Sequence, residues 1–185
     1  MTQPTPPAGD EPSRRDVVAA AVTMAAAAGA AGTPAAGAAG TPAAAQAQAQ
    51  TPSHLRFSNP PGMSSPPTYS HVVEVTGPHR TVYIAGQTGA DAKGTVAKDF
   101  RGQAVQVMEN IKTALDSVGG GFEHVVKITS YLTDIAANAA EFREVRALYF
   151  KKGTLPTATL LQVPRLANPA YLLEVEAIAV LPAKG

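Results

Sequence analysis

The sequence predicts an α+β domain in which two helices cover one face of a single sheet, in the element order ββαβαββ. Three observations predict it. Two stretches, "DFRGQAVQVMENIKTALDSVGGG" and "NAAEFREVRALYF", repeat their apolar residues at helical spacing. Five others alternate, or run apolar and β-branched, over strand-like lengths. The last of these, "YLLEVEAIAV", is largely apolar on both faces, although helices can cover only one.

The elements follow in order. "YSHVVEV", Tyr69 to Val75, alternates and reads as a strand. "TGPHR" is a turn, and "TVYIAGQTG" a second strand that should pair with the first as a hairpin. Asp99 is placed to cap the first helix. Its buried stripe runs through Phe100, Ala104, Val107, Ile111, Ala114, Leu115 and Val118, and Gly119 to Gly121 stop it. "HVVKITSYLTD" is the third strand. The second helix should bury Phe142, Val145 and Leu148 or Tyr149. "TATLLQVPRL" and "YLLEVEAIAV" complete the sheet.

The last strand carries two glutamates, Glu174 and Glu176, two residues apart and so on one face. Like charges repel, and a half-buried carboxylate needs a partner. With the helices on the other face, the glutamates belong to the face that must meet something else, most simply a neighbouring subunit. That places them at a polar crevice, where a hydrogen-bond donor or a cation is required.

Composition bounds the chemistry. Among 185 residues there are 15 basic and 14 acidic side chains, for a net charge of +1. Such a balance gives no field that selects nucleic acid as partner. The absence of cysteine excludes disulfides, thiol nucleophiles and cysteine-held zinc. His54, His71, His79 and His124 are scattered without metal-ligand spacing, so no metal site is expected.

Residues 1–52 differ in character. "TMAAAAGAAGTPAAGAAGTPAAAQAQAQ" has almost no large apolar side chain to bury and reads as a disordered Ala/Pro-rich extension. Its order is also that of a twin-arginine export signal. Arg14 and Arg15 follow Ser13, a mildly apolar run extends from Val17 to about Gly32, and small-residue cleavage sites lie around Ala45 to Ala49. On that reading the mature protein is periplasmic or otherwise exported. Translation from Met63 would instead give a cytoplasmic domain. The apolar run is too short and too rich in alanine to span a membrane. Residues 53–68 read as a linker and 69–182 as the folded domain.

Four segments carry a family resemblance. "VYIAGQTG", "QAVQVMENIKTALDSVGGGFEHVVKITSYLTD", "LP" followed by "LLQVPRL", and "LEVEAIAV" occur in the order and spacing of the RidA family, also called YjgF/YER057c/UK114, from roughly Tyr69 to Leu181. The resemblance implies a chorismate-mutase-like fold and a homotrimer with three small-molecule clefts between subunits. It also implies hydrolysis of reactive imines and enamines to keto acids and ammonia, with no metal or cofactor. By the same resemblance Glu174 places or activates water, Tyr69 caps the pocket, and Ala85, Gly86 and Gln87 line it, with backbone N–H groups near Gly86 and Gln87 as oxyanion donors.

One position departs from the pattern. The family's substrate-binding arginine, in Pro-Ala-Arg-Ser or Pro-Ala-Arg-Thr, aligns with Ala158 in "PTAT". Losing a buried charged clamp costs on the order of 2–5 kcal/mol, so a ligand less acidic than a 2-imino acid is expected. Arg165, at the end of the fourth strand, and Arg143, on the second helix where the family often has asparagine, are the candidate replacements. Two other readings stay open: 2-iminobutanoate/2-iminopropanoate deamination with a different cation, and a non-catalytic ligand-binding or chaperone-like oligomer. RNA cleavage, sometimes attributed to the family, fits poorly with the near-neutral charge.

Overall fold

The computed structural model describes Pro52 and residues 54–184. The proposed export signal and its cleavage sites lie outside the described residues. Among the described residues, six strands, two helices and one short 3-10 turn follow one another as β1 (Leu55–Ser58), β2 (Val72–Val75), β3 (His79–Thr88), α1 (Phe100–Ser117), the turn Phe122–His124, β4 (Val125–Leu132), α2 (Ile135–Ala147), β5 (Thr157–Gln162) and β6 (Leu173–Pro182). From β2 onward this is the predicted order ββαβαββ.

The main sheet has four strands in the order β3-β6-β4-β5. β6 is therefore central, antiparallel to both β3 and β4, while β4 and β5 run parallel, joined by the α2 crossover. One face of β6, formed by Leu173, Val175, Ala177, Ala179 and Leu181, is buried at 0–2 % exposure. It packs in one cluster with Val107, Met108, Ile111 and Leu115 of α1 and Phe142 and Val145 of α2. The two-layer arrangement expected from the apolar stripes is thus the one observed.

The ends of α1 follow local chemistry. Asp99 caps it, its Oδ1 accepting from the Gly102 amide at 2.8 Å. At the other end Gly120 N–H bonds Leu115 carbonyl at 2.9 Å and Gly119 N–H bonds Asp116 carbonyl at 3.1 Å. This Schellman pattern needs Gly119 at φ 75°, a left-handed conformation that favours glycine. Just after α2, Tyr149 rather than Leu148 turns inward. Leu148 is 71 % exposed, and the Tyr149 hydroxyl donates to Glu109 Oε1 of α1 at 2.7 Å. Burial, then that bond, pushes the Tyr149 hydroxyl's pKa up.

The expected hairpin of the first two predicted strands is not formed. β2 pairs instead with β1, antiparallel, in a separate two-stranded sheet with Leu55 opposite Val75 and Ser58 opposite Val72. An Arg56–Glu74 ion pair of 2.8 Å and the bond from Thr76 N–H to His54 carbonyl continue the pairing. All four residues of β2 find partners in β1. β1 lies in the segment read as a linker, where Pro60, Pro61, Pro66 and Pro67 mask a four-residue strand whose partner is remote in sequence.

Gln103 ties the approach to β6 onto α1. It is 1 % exposed. Its Nε2 donates to the carbonyls of Ala97 and Ala170 at 2.9 and 2.8 Å, and its Oε1 accepts from Leu172 N–H at 2.9 Å. A Cβ on Gly89 would lie 2.5 Å from Gln103 Cβ, so glycine there lets the strand approach the helix. Replacing Gln103 by leucine leaves three backbone groups without their partners. Gln103→Leu is expected to lower stability by about 3 kcal/mol in denaturant unfolding; an unchanged midpoint would show that water satisfies those groups equally well.

Candidate functional site

The face of the sheet that the helices leave open carries Glu174 and Glu176. Residues directly opposite each other in the ladders share a face, so Thr88, Tyr131, Thr129, Lys127, Tyr83 and Ile178 lie there too. Tyr83 is 78 % exposed. A hollow of about 470 Å³ opens on this face, lined by Tyr83, Ala85, Lys127, Thr129, Glu176 and Ile178, among others. Glu176 borders the hollow directly.

Glu174 is held by a defect in the neighbouring strand. Between Ile84, opposite Ala177, and Gln87, opposite Val175, β3 fits two residues, Ala85 and Gly86, against the single Glu176. This bulge re-aims the strand. The Glu174 side chain lies over Gly86: a Cβ there would come within 2.8 Å of the carboxylate carbon. Glycine is therefore required by the carboxylate's seat. Gln87 turns back on the bulge, its Nε2 donating to Ala85 carbonyl at 3.1 Å.

The expected donor for the carboxylates is Tyr131. It stands opposite Glu174 on β4, and its hydroxyl donates to Glu176 Oε1 at 3.4 Å. Desolvation, then the Glu176 carboxylate, then the bond to it, and then Glu174, all push the tyrosine's pKa up. Lys127 Nζ donates to Thr159 Oγ1 at 2.7 Å on the same face.

A second, larger cavity of about 640 Å³ shares no lining residue with the first. It lies between the segment before β2 and α2 and is lined by Tyr69, Arg143, Arg146, Phe150, Lys152 and Leu155, among others. Tyr69 packs edge-on against His71, with ring centroids 5.3 Å apart. Ser70 N–H bonds Pro156 carbonyl at 3.1 Å, which fixes this segment to the start of β5. On one chain the predicted site is thus in two parts. Ala85, Gly86, Gln87 and Glu174 come together at the bulge, while Tyr69 faces the other cavity. Arg165 is exposed on the loop after β5.

Comparison with known proteins agrees with this architecture. The family model described as endoribonuclease L-PSP matches residues 63–181. A RutC family protein of Pyrococcus horikoshii is 40 % identical over 100 residues, which are 53 % of this chain and 77 % of the relative. A Mus musculus protein named 2-iminobutanoate/2-iminopropanoate deaminase is 35 % identical over 114 residues, 60 % of this chain and 80 % of its own length. The crystal structure of a Yersinia pestis protein of the conserved Rid family superposes with a TM-score of 0.65 at 31 % identity, covering 69 % of this chain and 99 % of that one. The chain belongs to the RidA family.

Position 158 now has a structural meaning. In parallel pairing Ala158 stands beside Ile128, and its side chain packs on the helix-side core. It is therefore on the opposite side of the sheet from Glu174 and on the same side as α2. That helix carries a cation absent from the sequence reading: Arg146, 9 % exposed. Its guanidinium donates to Thr68 carbonyl and lies over Phe150, Cζ 5.8 Å from the ring centroid. Burial, and then the like charge of Arg143, lower its pKa to about 10. Among the described residues no carboxylate pairs with it. One signal was available in "FREVR": an arginine four residues after Phe142 and next to Val145 lies on the buried stripe of the helix. Among the described residues no group of three or more His, Asp or Glu is placed to hold a metal ion.

The seat of Glu174 makes a direct prediction. In Gly86→Ala the new Cβ meets only the mobile end of a side chain on an open face, so stability should change by less than about 1 kcal/mol. The carboxylate must nevertheless swing away. A crystal structure of the variant should show Glu174 in another rotamer; an unmoved carboxylate would mean that the bulge relaxes instead.

Proposed function

We propose that this RidA-family chain is a homotrimer that hydrolyses a reactive small-molecule imine or enamine in a cleft between subunits. The observation that carries the reading is the carboxylate of Glu174 seated over Gly86 at a β-bulge. It provides a proton acceptor on an open sheet face, held by shape at the bulge of β3. The trimer is supported by that same face: Tyr83 at 78 % and Leu161 at 42 % exposure leave apolar surface around the carboxylates. It is also supported by the division of the site, since Glu174 stands on the open sheet face while Tyr69 lines the cavity beside α2. A neighbouring copy laid on the open face would bring its Tyr69 cavity to the first chain's Glu174.

The chemistry follows from the groups present. Water adds to the imine carbon while Glu174 takes one of its protons. Glu174 returns that proton to nitrogen, which completes the carbinolamine; it then carries the hydroxyl proton to the same nitrogen as the C–N bond breaks, so that ammonia leaves and the oxygen becomes the carbonyl of the product. Tyr131, through its bond to Glu176, keeps the second carboxylate from crowding the first. The net charge of +1 offers no extended phosphate track, so the nuclease name of the family model does not guide the reading for this chain.

The test uses freshly generated 2-iminobutanoate. The wild-type chain should speed release of keto acid and ammonia, and Glu174→Gln should slow it by roughly a hundredfold or more, the usual weight of a general base. Light scattering should give three subunits for both proteins. Full activity in Glu174→Gln, or a stable monomer at micromolar concentration, would sink this reading.

A further inference from the structure

We propose that Arg146 is the carboxylate-binding cation of this chain, working from α2 in place of the arginine that β5 lacks at position 158, with Arg143 and Lys152 beside it. The inference rests on the reading of the chain as an imine hydrolase only for the identity of the acid; the anion site itself stands on geometry.

A buried guanidinium is costly unless it is paired, because its hydration is lost. Arg146 is 9 % exposed, and among the described residues its one hydrogen-bond acceptor is the Thr68 carbonyl. Guanidinium carries five N–H donors, so its planar fork retains donors for a two-pronged acceptor. It borders a cavity of about 640 Å³, large enough for a small organic acid. Arg143 and Lys152 line the same cavity, and neither they nor Arg146 enters an ion pair among the described residues. The like charge of Arg143 raises the cost of the charge on Arg146, as the direction of its pKa shift shows, and an anion in the cavity would relieve it.

Location adds an independent reason. Ala158 and α2 share the helix side of the sheet, so a cation on α2 can serve the side that an arginine on β5 would have served. Tyr69 lines the cavity too, which gives the acid an aromatic wall and a hydroxyl. The expectation of a less acidic ligand rested on the missing arginine at 158. Arg146 removes that reason and points to a small 2-keto or 2-imino monocarboxylate.

Binding alone tests this without turnover. Titration calorimetry with pyruvate on the full chain should show binding. Pyruvamide, of the same shape without the charge, should bind at least about 30-fold more weakly, as expected for loss of a charged hydrogen-bonded pair. Arg146→Met should lose pyruvate to a similar extent, and Arg146→Lys should recover part of it. If Arg146→Met fails to fold, the wild-type comparison still decides. No pyruvate binding, equal binding of pyruvamide, tighter binding of inorganic phosphate, or a folded Arg146→Met that binds normally would each overturn the assignment. A chain that binds pyruvate through Arg146 but releases no ammonia from imines would keep the anion site and lose the proposed reaction.

Discussion

Two helices can cover only one face of a four-stranded sheet, and this constraint organises the rest of the molecule. It divides β6, the central strand, into a face buried at 0–2 % exposure and a face that carries Glu174 and Glu176. The apolar side drives folding, because burial of Leu173, Val175, Ala177, Ala179 and Leu181 against α1 and α2 removes a continuous stripe from water. The other side is left to chemistry. The carboxylates stand there with Tyr131 as donor, at the one place where β3 bulges and where Gly86 leaves room for a side chain.

The same division separates the two glutamates from a cluster of cations. Glu174 and Glu176 share the open face with Lys127, which donates there to Thr159, and Arg143, Arg146 and Lys152 line a cavity beside α2. None of those three cations enters an ion pair among the described residues. A buried, unpaired guanidinium is a poor stabilising device, since an apolar residue of similar volume would avoid the desolvation cost. Its presence is better explained by binding than by folding. On the proposed reading, closure of one half on the other across subunits would supply both a proton acceptor and an anion clamp around one small acid.

Much of the fold was legible in the sequence because its signals are local. Asp99, the stripe from Phe100 to Leu115 and the glycines after Val118 specify α1 without reference to the rest of the chain. The division of β6 into two faces follows from period two alone. The β1–β2 pairing was hidden, because its strands are four residues long and separated by a proline-rich segment. At the site, the glutamates and Gly86 were legible, the first as an anomaly in an apolar strand and the second through family resemblance. Arg146 was passed over in favour of Arg143 and Arg165, both exposed in the structure, because arginines are usually solvated. Its place on the buried stripe beside Val145 was the sign that it is not.

The central claim is that one cleft is built from two subunits, Glu174 from one and Arg146 from the next. Subunit mixing tests it most directly. Glu174→Gln and Arg146→Met chains, each inactive alone, are refolded together in equal amounts and assayed for 2-imino acid hydrolysis. If the two residues meet across an interface, random assembly leaves about a quarter of the clefts with both groups intact, and about a quarter of wild-type activity returns. If both groups serve a cleft within one subunit, every subunit carries a defect and the mixture stays inactive, which would contradict the shared cleft.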